Sequence, residues 1–193
     1  MALSEKVKRG MTITFLVLLV IGFVVPGFLN FEDTQLQDIV EPRLCQTDSE
    51  CYLTCEDTPL IILCSQNLCQ QNACKEPRYF AYQEKPLTFS LAVEISGDKI
   101  NLAKKSNEKD LFVKFNLNND KTEVFSKTLS LQQILEKARI LYQSQGNCVE
   151  LDGKEYCTDA SHQLKLTVND KDVPSFPESY VPKEGDIVVL KYR

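Results

Sequence analysis

The chain closes on Asp186-Ile187-Val188-Val189-Leu190-Lys191-Tyr192-Arg193, and the run Ile187 to Leu190 within it is apolar on both faces of an extended strand. A strand at an edge, or one with a solvated face, would alternate apolar with polar residues. A short continuous run therefore predicts a central place in a sheet that is covered by a helix. Working back from it, Leu164, Leu166 and Val168 alternate with polar neighbours and predict a half-buried strand. A turn at Asn169 to Asp172 and a loop punctuated by Pro174, Pro177 and Pro182 join the two.

Further back lies Cys148-Val-Glu-Leu-Asp-Gly-Lys-Glu-Tyr-Cys157. Asp-Gly favours a two-residue type I′ turn, because both central residues must take a positive φ. With Asp152-Gly153 as that turn, Leu151 opposes Lys154, Glu150 opposes Glu155, Val149 opposes Tyr156 and Cys148 opposes Cys157. The cysteines then fall at a non-hydrogen-bonded pair, where the Cα atoms are close enough for a disulfide, and this bond is expected.

Ser130 and Gln133 form a capping box, with Leu129 and Ile134 at the staple positions, so a helix is expected to begin at Leu131. Leu131, Ile134, Leu135, Ala138, Leu141 and Tyr142 make one apolar stripe that carries the helix on to a stop at Gly146. Upstream, Phe89, Leu91, Val93 and Ile95 alternate with Thr88, Ser90, Ala92 and Glu94, and Ser96 to Lys99 turns the chain into a second run through Ile100 and Leu102. The charged stretch Lys104 to Asp110 reads as a solvated loop. Leu111, Val113, Phe115 and Leu117 share the face of a further strand, followed by a turn at Asn118-Asn119-Asp120 and a strand over Thr122 to Ser126.

Strand, turn, strand, helix, strand, loop and buried last strand, from Leu111-Phe112-Val113-Lys114 to Leu190-Lys191-Tyr192-Arg193, resembles a ubiquitin-like β-grasp domain over residues 111–193. The resemblance implies a fold that binds proteins or soluble ligands through its sheet. It departs in an extra hairpin before Leu111, in the disulfide-bonded insertion Asn147 to Ser161, and in lacking a terminal Gly-Gly, so conjugation chemistry does not carry over. The β-grasp-like domain as a whole is expected over residues 87–193.

Cys45, Cys51, Cys55, Cys64, Cys69 and Cys74 crowd residues 45–74, too small a segment to fold on a hydrophobic core, so staples must substitute for one. Their spacing, with Thr47-Asp48-Ser49-Glu50 in the first loop, resembles knottin-like and nodule cysteine-rich peptides. They are expected to pair among themselves, in a connectivity that spacing does not choose. Leu60, Ile61, Ile62 and Leu63 form an apolar run that reads either as a strand within the module or as a surface for a partner or the next domain. Residues 75–86 read as a linker whose Tyr79, Phe80 and Tyr82 pack on a neighbour, and residues 32–44 as a polar stalk.

Gly10 to Phe31 carries no charge and is long enough to span a bilayer core. Lys6, Lys8 and Arg9 precede it and Glu32, Asp33, Asp38 and Glu41 follow. The positive-inside bias therefore keeps residues 1–10 cytoplasmic, makes residues 11–31 a single-pass transmembrane helix in the lipid bilayer, and sends the body outside the cytoplasm. Cleavage near Val25-Pro26-Gly27 is the alternative and would release a secreted cysteine-rich effector or inhibitor. Eight cysteines in 193 residues fit disulfides in an oxidising compartment. Zinc knuckles would need C-x-x-C pairs and more than the single His162, so no metal or other cofactor is expected.

The net charge of -5 argues against a nucleic-acid partner, which requires clustered Lys and Arg. G-x-S-x-G, H-E-x-x-H and phosphate-loop motifs are absent, so no catalytic residue is nominated. The expected role is a non-enzymatic, membrane-tethered protein that binds a protein partner or positions a complex at the membrane. Thiol-disulfide chemistry at Cys51-x3-Cys55 is the rival.

Overall fold

The structure is a computed structural model and describes residues 13–19, 41–117, 119–145, 147–173 and 177–193. The chain divides into two units, Met1–Val40 and Glu41–Arg193. Of the first, residues 13–19 are described, as a helix (α1) with exposed side chains. Among the described residues no helix is long and apolar enough to cross a membrane. Most of the expected span 11–31, residues 1–10 and residues 32–40 lie outside the described residues.

The second unit is α+β, with a disulfide-rich segment followed by a mixed sheet and few helices. The segment contains a 3₁₀ turn, Asp48–Glu50, and two small hairpins, β1 (Tyr52–Cys55) with β2 (Thr58–Ile61) and β3 (Cys64–Ser65) with β4 (Leu68–Cys69). Cys45–Cys64, Cys51–Cys69 and Cys55–Cys74 cross-link them. Residues 41–44, read as the end of a stalk, are part of this module: Arg43 donates to the Tyr52 and Gln71 carbonyls, and Leu44 bridges Leu68.

The large sheet comprises β5 (Leu87–Ile95), β6 (Asp98–Lys99), β7 (Val113–Phe115), β8 (Lys121–Val124), β12 (Leu164–Val168), β13 (Lys171–Asp172) and β14 (Ile187–Tyr192). Its order is β13-β12-β14-β5-β8-β7, with β6 appended to β5. The closing strand β14 is central, parallel to β5 and antiparallel to β12. Phe89, Leu91, Val93 and Ile95 of β5 and Val188, Leu190 and Tyr192 of β14 are buried on one face against Leu131, Ile134 and Leu135 of helix α3 (Leu131–Lys137). Each such side chain contributes roughly 1.5–3 kcal/mol by leaving water. The opposite face of β5 is half-buried and carries Thr88, Ser90, Ala92 and Glu94.

Three expectations need correction. The strand expected over Leu111 to Leu117 pairs only over Val113–Phe115, at the edge of the sheet, and the strand beside β14 is β5. The run through Ile100 and Leu102 pairs only over Asp98–Lys99; Asn101 then accepts from the Lys104 amide and caps the short helix α2 (Leu102–Lys105). Helix α3 begins at the expected capping box but stops at Lys137, with Arg139 at φ 58°. Ile140 and Tyr142 are buried and Leu141 exposed because Ile140–Gln143 is a strand, β9, paired with β10 (Cys148–Leu151). The stripe Leu131 to Tyr142 fits a helical period throughout, but its last residues also alternate. Strand pairing wins because β10 offers a ladder there.

The hairpin β10–β11 (Lys154–Cys157) has Cys148 opposite Cys157, Val149 opposite Tyr156, and Asp152 and Gly153 both at positive φ. The Cys148–Cys157 disulfide closes it at a Cα separation of 4.0 Å. The segment read as a linker is packed, since Tyr82 stacks on Phe125 at 5.5 Å and meets the Phe112 ring edge-on at 5.4 Å.

Candidate functional site

The first loop of the cysteine module folds into a 3₁₀ turn because the backbone N–H groups of Glu50 and Cys51 reach back to the carbonyls of Thr47 and Asp48. The turn directs Asp48 inward. Asp48 Oδ2 accepts hydrogen bonds from the amides of Leu111 at 2.8 Å and Phe112 at 3.0 Å, while Oδ1 accepts from the Cys64 amide at 2.9 Å. Lys137, the last residue of α3, completes the cluster. Its ammonium donates to Asp48 Oδ1 at 2.7 Å, to the Cys64 carbonyl at 2.6 Å and to Asp110 Oδ1 at 3.3 Å.

These groups are dry: the side-chain exposures are 0% for Asp48, 5% for Lys137 and 7% for Asp110. Burial of an ion costs several kcal/mol unless its bonding capacity is filled, and here the three backbone amides and the ammonium fill Asp48. Asp110 is less fully served. Desolvation holds its carboxyl above the ordinary carboxylate range, against the opposing pull of Lys137. One residue earlier on α3, Glu136 accepts from Ser65 Oγ at 2.8 Å and from the Gln66 amide at 2.5 Å, a second clasp on the module.

A groove of about 820 Å³ opens beside this cluster. Gln66 and Asn67 of the module form one wall, and Gln132, Arg139, Leu141 and Gln143 of the α3–β9 segment the other. Leu141 is 46% exposed, presented outward by the β9 alternation that buries Ile140 and Tyr142. The Tyr142 phenol is pushed up to about 12, by burial first and by Glu178 second, and stays neutral at physiological pH.

The residues nominated from sequence are distributed as follows. All eight cysteines are in disulfides. Cys51 and Cys55 bond to Cys69 and Cys74, so they are not partners of one another. The sulfurs of Cys45, Cys51 and Cys69 lie within 4.8 Å of one another, but each is committed to a disulfide and offers no thiolate to a metal. The run Leu60 to Leu63 divides: Leu60 and Ile61 are half-buried in β2, whereas Ile62 at 5% and Leu63 at 0% exposure are interior. Leu63 belongs to the core formed by α3 and the sheet, and thus docks the module on the following domain.

His162 lies in an exposed turn with Ser161 and Asp159. Ser161 Oγ at 2.9 Å and Asp159 Oδ1 at 3.2 Å both meet the same ring atom, Nδ1. A nucleophile relay needs the hydroxyl and the carboxylate on opposite ring nitrogens, so this is a turn, not a triad. Asp159 is lowered to about 2, chiefly by the Ser161 amide.

Sequence reasoning missed Asp48, Asp110, Glu136 and Lys137. The charge run ending at Asp110 was read as solvated loop, yet Asp110 is 6% exposed. The available signal is weak: Asp48 lies midway between Cys45 and Cys51, and Lys137 falls three residues after the buried Ile134 on α3. No protein-family model matches the chain, and no curated protein matches its sequence.

Proposed function

We propose that this chain is a membrane-tethered, extracytoplasmic, non-enzymatic protein that binds a protein partner and holds it near the bilayer. The observation that carries the reading is the groove between the cysteine module and the α3–β9 segment. One wall is fixed by disulfides and the other by the sheet, so a partner meets a preorganised surface with little ordering entropy left to lose. Amide side chains, Arg139 and the exposed Leu141 suit a peptide or protein surface: an apolar contact surrounded by hydrogen-bonding groups.

Four disulfides support an oxidising compartment. The uncharged run Gly10 to Phe31, preceded by Lys6, Lys8 and Arg9, supports a single-pass anchor over residues 11–31 with the N-terminus cytoplasmic. The order β13-β12-β14-β5-β8, with β14 and β5 parallel at its centre and α3 across one face, supports a β-grasp reading of residues 87–193. On that reading β5, not Leu111 onward, supplies the opening strand. Fold alone names no partner.

The test is capture of partners by the disulfide-intact fragment from Glu32 onward, beside its Leu141→Asp variant. A partner retained by the first and lost by the second is expected. An identical set on both, or none on either, contradicts the groove reading.

A further inference from the structure

The Asp48–Lys137–Asp110 cluster has the geometry of a condensation site as well as of an ion pair. We propose that Asp48 and Lys137 join through an intramolecular isopeptide bond, with Asp110 as the proton carrier, covalently welding the cysteine module to helix α3. An amide between these side chains requires an amine against a carboxyl, exclusion of water, stabilisation of the tetrahedral intermediate and a path for protons. The structure supplies each of these.

Lys137 Nζ is 2.7 Å from Asp48 Oδ1 and is held there by the Cys64 carbonyl at 2.6 Å, so encounter and orientation are already fixed. Both side chains are buried, so bulk water is kept from the reacting atoms. The other oxygen, Asp48 Oδ2, faces the backbone N–H groups of Leu111 and Phe112, two preorganised donors where an oxyanion would develop. Asp110 Oδ1 is 3.3 Å from Nζ, and desolvation raises the affinity of its carboxyl for a proton.

The reaction balances without an oxidant or co-reactant. Lys137 gives a proton to Asp110, which passes it to Asp48 Oδ1, and the freed lone pair of Nζ attacks Asp48 Cγ. The C–Oδ2 π bond opens and its electrons rest on Oδ2, against the two amides. Asp110 then carries the second proton from nitrogen to the same oxygen, Asp48 Oδ1. As the carbonyl re-forms, the C–Oδ1 bond breaks and Oδ1 departs as water. One ammonium and one carboxylate have become one amide and one water, and Asp110 is returned to its starting state.

A thioether or disulfide would not serve here, because both carbons to be linked end in nitrogen and oxygen. An isopeptide bond also complements the disulfides in kind, since reduction does not break it. The three disulfides of the module close loops within residues 45–74 and none reaches the sheet domain. The Asp48–Lys137 bond would link residues 89 positions apart across that boundary.

Intact-mass measurement of the full chain, folded, then reduced and alkylated, decides the matter. We expect a mass one water below that of the sequence, with fragment spectra placing the loss in a branched peptide that joins the segments bearing Asp48 and Lys137. Lys137→Arg keeps a buried cation but no nucleophilic amine, and should return the full mass. Asp110→Asn should leave the linkage unformed or slow to form. A folded wild-type chain at full mass overturns the proposal, as does a water loss that maps to Asp152-Gly153, where aspartyl cyclisation would produce the same shift. Cross-linking of Asp110→Asn at the wild-type rate would overturn the assignment of Asp110.

Discussion

The segment Cys45–Cys74 and the segment Leu87–Arg193 reach an ordered state by different means. The first buries a small cluster around Cys45, Cys51, Ile62, Cys64 and Cys69 and depends on three cross-links. The second buries a continuous core on one face of a sheet and has one peripheral cross-link, Cys148–Cys157. Staples lower the entropy of the unfolded chain whatever the side chains between them, whereas a core demands matched apolar faces. The comparison would suggest two independent modules, yet the boundary between them contains the driest polar cluster among the described residues. Asp48 spends all its bonding on the other segment's amides and lysine and on Cys64, and Leu63 is placed in the other segment's core. A segment without a core of its own has borrowed one.

Removing the lysine should break this arrangement most severely. Lys137→Met leaves Asp48 buried without a cation and should lower the unfolding free energy by about 3–5 kcal/mol, measured by denaturant titration with disulfides intact. Leu63→Ala opens a cavity where the module enters the core. It should cost about 3 kcal/mol in the same measurement, within the range for a fully buried leucine, whereas a purely intramodular Leu63 would leave the stability of the sheet untouched.

A smaller loss is expected on acidification, at Asp186, the residue before β14. Desolvation of Asp186 is outweighed by hydrogen bonds from Tyr180 Oη at 2.5 Å, the Lys183 amide at 2.8 Å and Asn169 Nδ2 at 3.0 Å, so its folded pKa lies below its unfolded one. That stabilisation is present above the ordinary carboxylate range and is lost as pH falls through the lowered value. Tyr180→Phe should reduce the acid sensitivity of the thermal midpoint. If the two pH profiles coincide, Asp186 is not the responsible group. Smallest of all, Ser130→Ala removes the cap of α3 and should cost about 1 kcal/mol in thermal unfolding, without separating the two segments.

What was legible in the sequence was local. The β10–β11 register follows from Asp152-Gly153 alone, and the start of α3 follows from Ser130 and Gln133, because each depends on residues a few positions apart. The central place of Ile187 to Leu190 was readable from two-sided apolarity, though its parallel neighbour was not. That pairing spans the whole domain, and both β5 and the Leu111 strand alternate correctly. The Asp48 cluster was hidden for the same reason in stronger form. Its partners lie 16, 63, 64 and 89 residues away, and an aspartate in a loop, a charge run and a helical lysine each have an ordinary solvated reading. The C-terminal limit of α3 was misplaced because Ile140 to Tyr142 satisfies two periods at once.

The bonds of Asp48 to Leu111, Phe112 and Lys137 make the cysteine module and the sheet domain open as one body. Hydrogen exchange at the Leu111 and Phe112 amides tests it most directly, because those two donors cross the boundary to Asp48. They are expected to exchange only on global unfolding, with the protection of Val93 and Leu190 in the centre of the sheet. Exchange of Leu111 and Phe112 through a cheaper opening, while Val93 and Leu190 remain protected, would contradict it.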